Sequence, residues 1–226
     1  MTNLLLNLRT SARNFASGFT IGGHTSESSK APINFIDRYL SKPNDDGGYR
    51  INDPEQEAKR TTDLNALSAF QNHRYSRIRF AATKNPNATK EHLDKALNDE
   101  DSGVRASAAI HPNATPAHIT KALDDRMQSV RKFAAGSPNC SEANIDKALN
   151  DVDGYVNAAA AQNPNANSEQ INRGLSHTEP YVRSLAASNP NCNKEHLDKA
   201  LNDENWGVRG CAARNPNYDK CYHNGH

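Results

Sequence analysis

Large apolar side chains are scarce in this 226-residue chain. Hydrophobic residues make up 35% of it, aromatics 6%, and there is a single tryptophan. A single globular core built from so little would be weak. No apolar run approaches the roughly 18 residues that a membrane-spanning helix needs. Leu4-Leu5-Leu6 is too short an apolar core for a secretory signal. The net charge is +1, which removes any global electrostatic pull toward nucleic acid or membrane. The sequence carries no glycine-rich phosphate loop, no recognisable pair of catalytic carboxylates and no nucleophile–base motif. No catalytic residue, cofactor or metal site is therefore expected.

What the chain has instead is a ruler. Asn-Pro-Asn or a near copy recurs at Asn85-Pro86-Asn87, His111-Pro112-Asn113, Ser137-Pro138-Asn139, Asn163-Pro164-Asn165, Asn189-Pro190-Asn191 and Asn215-Pro216-Asn217, each step 26 residues. A fixed period of this size marks a solenoid, in which each unit packs on its neighbours and small residues suffice because the layers are thin. The expected organisation is an N-terminal arm over residues 1–57 and a repeat domain over 58–226. The domain divides into a degenerate repeat at 59–84, full repeats at 85–110, 111–136, 137–162, 163–188 and 189–214, and a partial repeat at 215–226. Residues 1–84 hold 12 basic and 8 acidic side chains and the rest 15 and 18, so the array itself is mildly acidic.

Aligned by column, each repeat predicts two short helices. Thr89, Thr115, Ser141, Asn167, Asn193 and Asp219 are good N-caps. Pro116 suits a first helical position, and Glu91, Glu169 and Glu195 suit the positive helix end. The first helix buries Leu93, Ala96 and Leu97 and their equivalents, spaced i, i+3, i+4. The second is capped by Asp101, Asp153 or Asn205 and buries Val104 and Ala108, with alanine throughout the column from Ala109 to Ala213. The prolines stop it. The column Asn87 to Asn217 is identical in all copies, and its amides are expected to bond the turns and to link repeat to repeat.

The Asn-Pro-Asn, Leu93, Asp99, Val104-Arg105 and Ala108-Ala109 run resembles the leucine-rich variant repeat, and the longer period leaves room for a full second helix, as in HEAT-like repeats. The resemblance covers residues 60–226 and implies an all-α, right-handed α-solenoid of 26-residue two-helix repeats. Some members of the variant family carry an iron–sulfur cluster in a separate Cys-rich segment. No cysteine precedes Cys140 here, so that cofactor is not carried over.

The arm holds Leu4, Leu8 and Phe15 at helical spacing and a second amphipathic stretch through Ile33, Ile36 and Leu40, all expected to dock in cis or in trans; residues 41–56 are predicted to be a linker. The early arm also overlaps in composition with organelle transit peptides. An intracellular, cytoplasmic protein is expected, with free thiols: Cys140 and Cys192 lie two layers of roughly 10 Å apart, beyond the disulfide Cα limit of about 7 Å.

Two surfaces are candidates for binding. Tyr155, Tyr181 and Trp206 fall at the start of the second helix in consecutive repeats, where earlier repeats carry small or polar residues. They are expected to form an exposed strip for a protein partner; the bland alternative is that each covers its neighbour's edge. Arg74, Arg77, Arg79 and Lys84, with the recurring arginines at 105, 131, 183 and 209, offer an alternative phosphate-contacting ridge for nucleic acid. The competing reading is an internal ladder with Asp99, Asp125, Asp151 and Asp203. His92, His118 and His196 are expected to serve helix caps, and Cys221, His223 and His226 at most an adventitious metal. The favoured function is a non-enzymatic scaffold for protein–protein interaction, or a structural subunit anchored by its arm.

Overall fold

The structure is a computed structural model that describes residues 53–222, all within one compact unit spanning Asn52–His226. The expectations placed on Leu4, Leu8, Phe15, Ile33, Ile36 and Leu40, and on His223 and His226, lie outside the described residues. Fourteen helices and no strand are present among those described. The first helices of successive repeats are α2 (Leu64–Phe70), α4 (Lys90–Ala96), α6 (Pro116–Leu123), α8 (Glu142–Leu149), α10 (Ser168–Leu175) and α12 (Lys194–Leu201). The second helices are α3 (Ser76–Thr83), α5 (Ser102–Ala109), α7 (Gln128–Ala135), α9 (Gly154–Ala161), α11 (Pro180–Ala187) and α13 (Trp206–Ala213). Helices α1 (Pro54–Arg60) and α14 (Tyr218–Tyr222) lie at the two ends. Each second helix packs on its own first helix and on the second helix of the next repeat, so the unit is an α-solenoid.

Seven- and eight-residue helices are too short to persist alone in water. Packing holds them. Leu93, Ile119, Ile145, Ile171 and Leu197 are fully buried on the first helices, and Val104, Val130, Val156, Val182 and Val208 on the second. Each such side chain contributes about 1.5–3 kcal/mol by leaving water. The alanines between them bring the backbones close without voids.

The caps form largely as the columns imply. Asp101 accepts from the amides of Gly103 and Val104, Asp153 from Tyr155 and Asn205 from Gly207. On the first helices the caps are reciprocal boxes. Asn167 accepts from Gln170 N while Gln170 returns its carbonyl to Asn167 N, both at 3.0 Å. Histidine fills the returning position at His118 and His196, whose Nδ1 atoms accept from Thr115 N at 2.8 Å and Asn193 N at 3.1 Å. Asn144 fills the same position, its Oδ1 accepting from Ser141 N at 3.1 Å, and the three residue types interchange because each offers one acceptor at the same reach. Asp219 departs from its column: α14 starts two residues early, at Tyr218, which places Asp219 inside the helix.

The N-terminal edge also departs. Residues 54–56, expected in the linker, open α1, which runs across the expected 57/58 boundary. Asp53 caps it by accepting from Glu55 N, Pro54 occupies its first turn, and buried Ala58 packs it against α3. An Asp-Pro pair amid Gly, Asn and Asp reads as a turn, yet it is also a helix start, and the tertiary contact decides between them.

One layer is tighter than the rest. Gly174 stands where the other full repeats have alanine, and a Cβ there would lie 2.7 Å from Ala161 Cβ and 2.8 Å from Ala186 Cβ. Gly174→Ala should therefore lower stability by about 1–3 kcal/mol through overpacking, against the usual gain of up to ~1 kcal/mol for this change in a helix. Gly210→Ala, whose added methyl would meet nothing closer than the flexible end of Arg214 at 3.6 Å, should show the ordinary gain. Urea midpoints of the two variants check the opposite signs.

Candidate functional site

Two ladders of polar side chains tie the layers together, and they account for most of the residue types that looked functional. The first runs through the Asn-Pro-Asn joints. Asn163 Nδ2 donates to the carbonyls of Ala135 (2.7 Å) and Ser137 (2.9 Å) one repeat back. Asn189 does the same to Ala161 and Asn163, and Asn215 to Ala187 and Asn189. Each of these side chains also accepts from the amide two residues on. The invariant second asparagines form a parallel row: Asn165 donates to Pro138 and Cys140, Asn191 to Pro164 and Ala166. The expected repeat-to-repeat bonding of this column is present.

The second ladder settles the arginine column at Arg79, Arg105, Arg131 and Arg183, while Arg209 stays exposed and donates to the carbonyls of Asp203 and Glu204. Arg105 grips Asp125 through Nε (2.6 Å) and Nη2 (3.0 Å) and spends Nη1 on the carbonyls of Asp99 and Glu100. Arg131 and Asp151, and Arg183 and Asp203, repeat the fork. Arg79 is buried, forked onto Asp99, and bonded to Glu100 and the carbonyls of His73 and Arg74. Arg79 is therefore withdrawn from the nucleic-acid surface: its guanidinium is committed inside the stack. Bidentate charge-assisted bonds hold these arginines protonated and push the Asp99, Asp125 and Asp203 carboxyls below their ordinary range against the opposing effect of burial. Asn157, which breaks the arginine column, has a complement 20 residues on: His177 replaces the aspartate. Asn157 turns inward to the carbonyls of Ala148 and Asp151, while His177 Nδ1 keeps the aspartate's other bond, accepting from Glu179 N.

The cysteines are equally structural. Cys140 and Cys192 are free and buried, their thiols donating to the carbonyls of Ala134 and Ala186, and burial pushes both up to about 11. Two open hollows of about 280 and 400 Å³ are lined by Lys95 with Asp99 and by Lys147 with Asp151, equivalent positions two repeats apart. They are products of the stacking. No group of three or more His, Cys, Asp or Glu side chains clusters as metal ligands among the described residues. No described helix is long and apolar enough to cross a membrane.

What the ladders leave over is at the start of the second helices. Tyr155, Tyr181 and Trp206 are 55%, 45% and 79% exposed. The rings of Tyr155 and Tyr181 meet edge to face, centroids 5.3 Å apart. Trp206 stands one position earlier on its own helix. Lys132 Nζ lies 5.7 Å from the Tyr155 ring centre. The same edge carries exposed residues that column reading passed over: Tyr75 and Met127, which take N-cap positions without capping by side chain, and Val152, 99% exposed in the preceding loop. Their signal was available, since an apolar residue in a capping column forgoes a hydrogen bond. In the first repeat Arg74 and Arg77 flank Tyr75, at 4.6 and 5.8 Å from the ring centre, and Lys84 lies 5.4 Å from that of Phe80.

No family model and no curated protein matches this chain. Its fold is similar to a solved structure described as a leucine-rich repeat variant with a novel repetitive protein structural motif, with a TM-score of 0.52 and 22% identity. The similarity covers 68% of this chain and 62% of that one, so the chain spans less than two thirds of the protein it matches.

The joint ladder carries a pH dependence. His111 takes the place of the first asparagine: Nδ1 accepts from Asn113 N, which leaves the proton on Nε2 to donate to the carbonyl of Asn85. Burial holds its pKa below the ordinary 6.5. A histidine depressed in the folded state contributes its full stability above 6.5 and loses it as pH falls below that value. Melting temperature should therefore drop between pH 7.5 and 5.5. His111→Asn, which restores the amide used elsewhere in the column, should flatten part of the slope, leaving the shares of His196 and His73, both depressed by burial in the same direction.

Proposed function

We propose that the chain is a non-enzymatic repeat scaffold that binds a protein partner along the edge marked by Tyr155, Tyr181 and Trp206. The observation that carries this reading is the exposure of three large aromatic rings on three successive second helices. Aromatic side chains at protein interfaces supply large contact area at low entropic cost and concentrate binding energy. Tyr155 and Tyr181 also cover each other in part, so the edge is held in shape before a partner arrives. The interior supports a structural role in place of a catalytic one: its arginines, aspartates, capping histidines and buried thiols are spent on neighbouring layers. A structural subunit of a larger assembly, anchored by the N-terminal arm, is the nearest variant of this reading.

A second reading rests on the first repeat. Arg74, Arg77 and Lys84 stand exposed beside Tyr75 and Phe80, a basic and aromatic cluster of the kind that holds single-stranded nucleic acid. It is local, and the array beyond it is acidic.

The two are separated by one set of variants. Tyr155→Ala/Tyr181→Ala/Trp206→Ala should keep its melting temperature, since exposed side chains away from the core contribute about ±0.5 kcal/mol each, and should lose the protein captured from the source cells by the tagged wild-type chain. Arg74→Ala/Arg77→Ala should leave that capture intact. Retention of the captured protein by the triple variant would remove the aromatic edge from the function. A gel shift at low salt that collapses steeply as salt rises, and that the arginine variant abolishes, would favour nucleic acid.

A further inference from the structure

We propose that the free chain pairs with a second copy of itself along this edge, the two copies running in opposite directions. The proposal rests on the exposed rings of the scaffold reading and goes beyond it, by naming what covers them in the free chain. The first argument is register. The six second helices begin at Ser76, Ser102, Gln128, Gly154, Pro180 and Trp206, each 26 residues after the last. The basic cluster of the first repeat and the aromatic strip of the last three therefore stand at the two ends of one edge. Tyr155 and Tyr181 touch edge to face, centroids 5.3 Å apart, and make one ridge across the fourth and fifth layers. At the same positions the second and third layers carry Gly103 and Ser129, a dip of equal length. Reversing one copy about a two-fold axis between the third and fourth layers sets each ridge over the other copy's dip. Tyr155 falls over Ser129, Tyr181 over Gly103, and Trp206 over Ser76. A pairing with both copies in the same direction sets ridge on ridge.

The second argument is charge. The same reversal brings Arg74 of one copy to Glu204 of the other, whose side chain is 88% exposed and bonded to Arg183 Nη2 at 3.3 Å. Arg126, exposed in the third layer, comes to Val152 and Asp153 in the fourth. Near the axis, where binding energy concentrates, the edge also carries apolar surface: Met127 and Val152 are 44% and 99% exposed. Asp101 meets Glu179, a like-charged pair. Both stand at helix N-termini, whose positive ends offset part of the repulsion, and Asp101 already accepts from the amides of Gly103 and Val104. Two-fold symmetry makes every favourable meeting occur twice. A foreign partner needs the same order of ridge, dip, apolar centre and opposite charge; this chain carries it already. Six layers at about 8–10 Å each make an edge roughly 50 Å long, enough for the ~800 Å² per partner of a stable interface.

Light scattering of the full chain across a concentration series tests the pairing. The mass should rise from the 24.8 kDa of one chain to twice that value, with a dissociation constant of about 10 μM or tighter. Arg74→Glu and Glu204→Arg should each weaken pairing about tenfold or more on its own, while circular dichroism stays unchanged. Mixed in equal amounts, these two variants should pair again, because each presents to the other the charge that it lacks against itself. Met127→Glu/Val152→Glu should abolish the dimer. A mass that stays at 24.8 kDa up to about 100 μM overturns the proposal. So does a dimer that neither charge reversal weakens, or a mixture that pairs no better than either variant alone. If the chain stays monomeric while the triple alanine variant still loses its captured protein, the scaffold reading stands and only the self-pairing falls. If the mixture restores a dimer while the triple variant keeps that protein, the self-pairing stands and the scaffold reading falls.

Discussion

Every repeat ends in a turn whose carbonyl groups reach across to side chains of the next repeat. The proline that stops the second helix leaves the last carbonyls of that helix and those of the joint without helical partners, and neighbouring layers shield them from water. An unpaired buried carbonyl costs about 1–3 kcal/mol. The asparagines of the following repeat supply the missing donors, two carbonyls to each amide at Asn163, Asn189 and Asn215. Side-chain amides of fixed length fix the layer spacing and the phase between repeats. The rest of the unit follows: helices too short to stand alone are stacked at a distance where alanine and valine fill the gap.

The arginine–aspartate forks act on a second edge of the same layers. Burying such a pair is not itself a strong source of stability, because desolvation offsets much of the attraction. What the fork adds is register, since a planar guanidinium accepts a carboxylate in one geometry. The layer at Asn157 and His177 shows how closely the two members depend on each other. Without the arginine, an aspartate at 177 would be shielded and unpaired. The histidine removes that charge and keeps the acceptor for Glu179 N. The same repeat also carries Gly174 in place of alanine, so loss of the fork coincides with the closest approach of its helices.

The aromatic edge occupies the region the ladders do not need. At the start of the second helices the side chains are exposed or part-exposed and take no part in either ladder, so residue type varies from repeat to repeat. Small residues stand there in Gly103 and Ser129 and large rings in Tyr155 and Tyr181. Such freedom is why the edge was visible in the sequence as a set of departures from a regular pattern. Tyr75, Met127 and Val152 carry a different signature in the sequence, because they sit in or beside capping columns whose usual residues are polar. The arginines posed the reverse problem. A basic residue in every repeat looks the same in sequence whether it faces water or a buried aspartate.

The 26-residue period, the helix pairs, their caps and the columns that face inward were legible in the sequence, because each rests on local physics: helical spacing, capping chemistry and the conformational limits of proline. The start of the unit at α1 was not. An Asp-Pro pair in a polar stretch starts a helix or a turn with equal local merit, and the burial of Ala58 beneath the next layers decides for the helix. The fate of the arginine column and the double use of each joint asparagine were also settled by tertiary structure alone. Both depend on which carbonyl or carboxylate lies within about 3 Å in the adjacent layer, a distance set by stacking and carried by no single repeat.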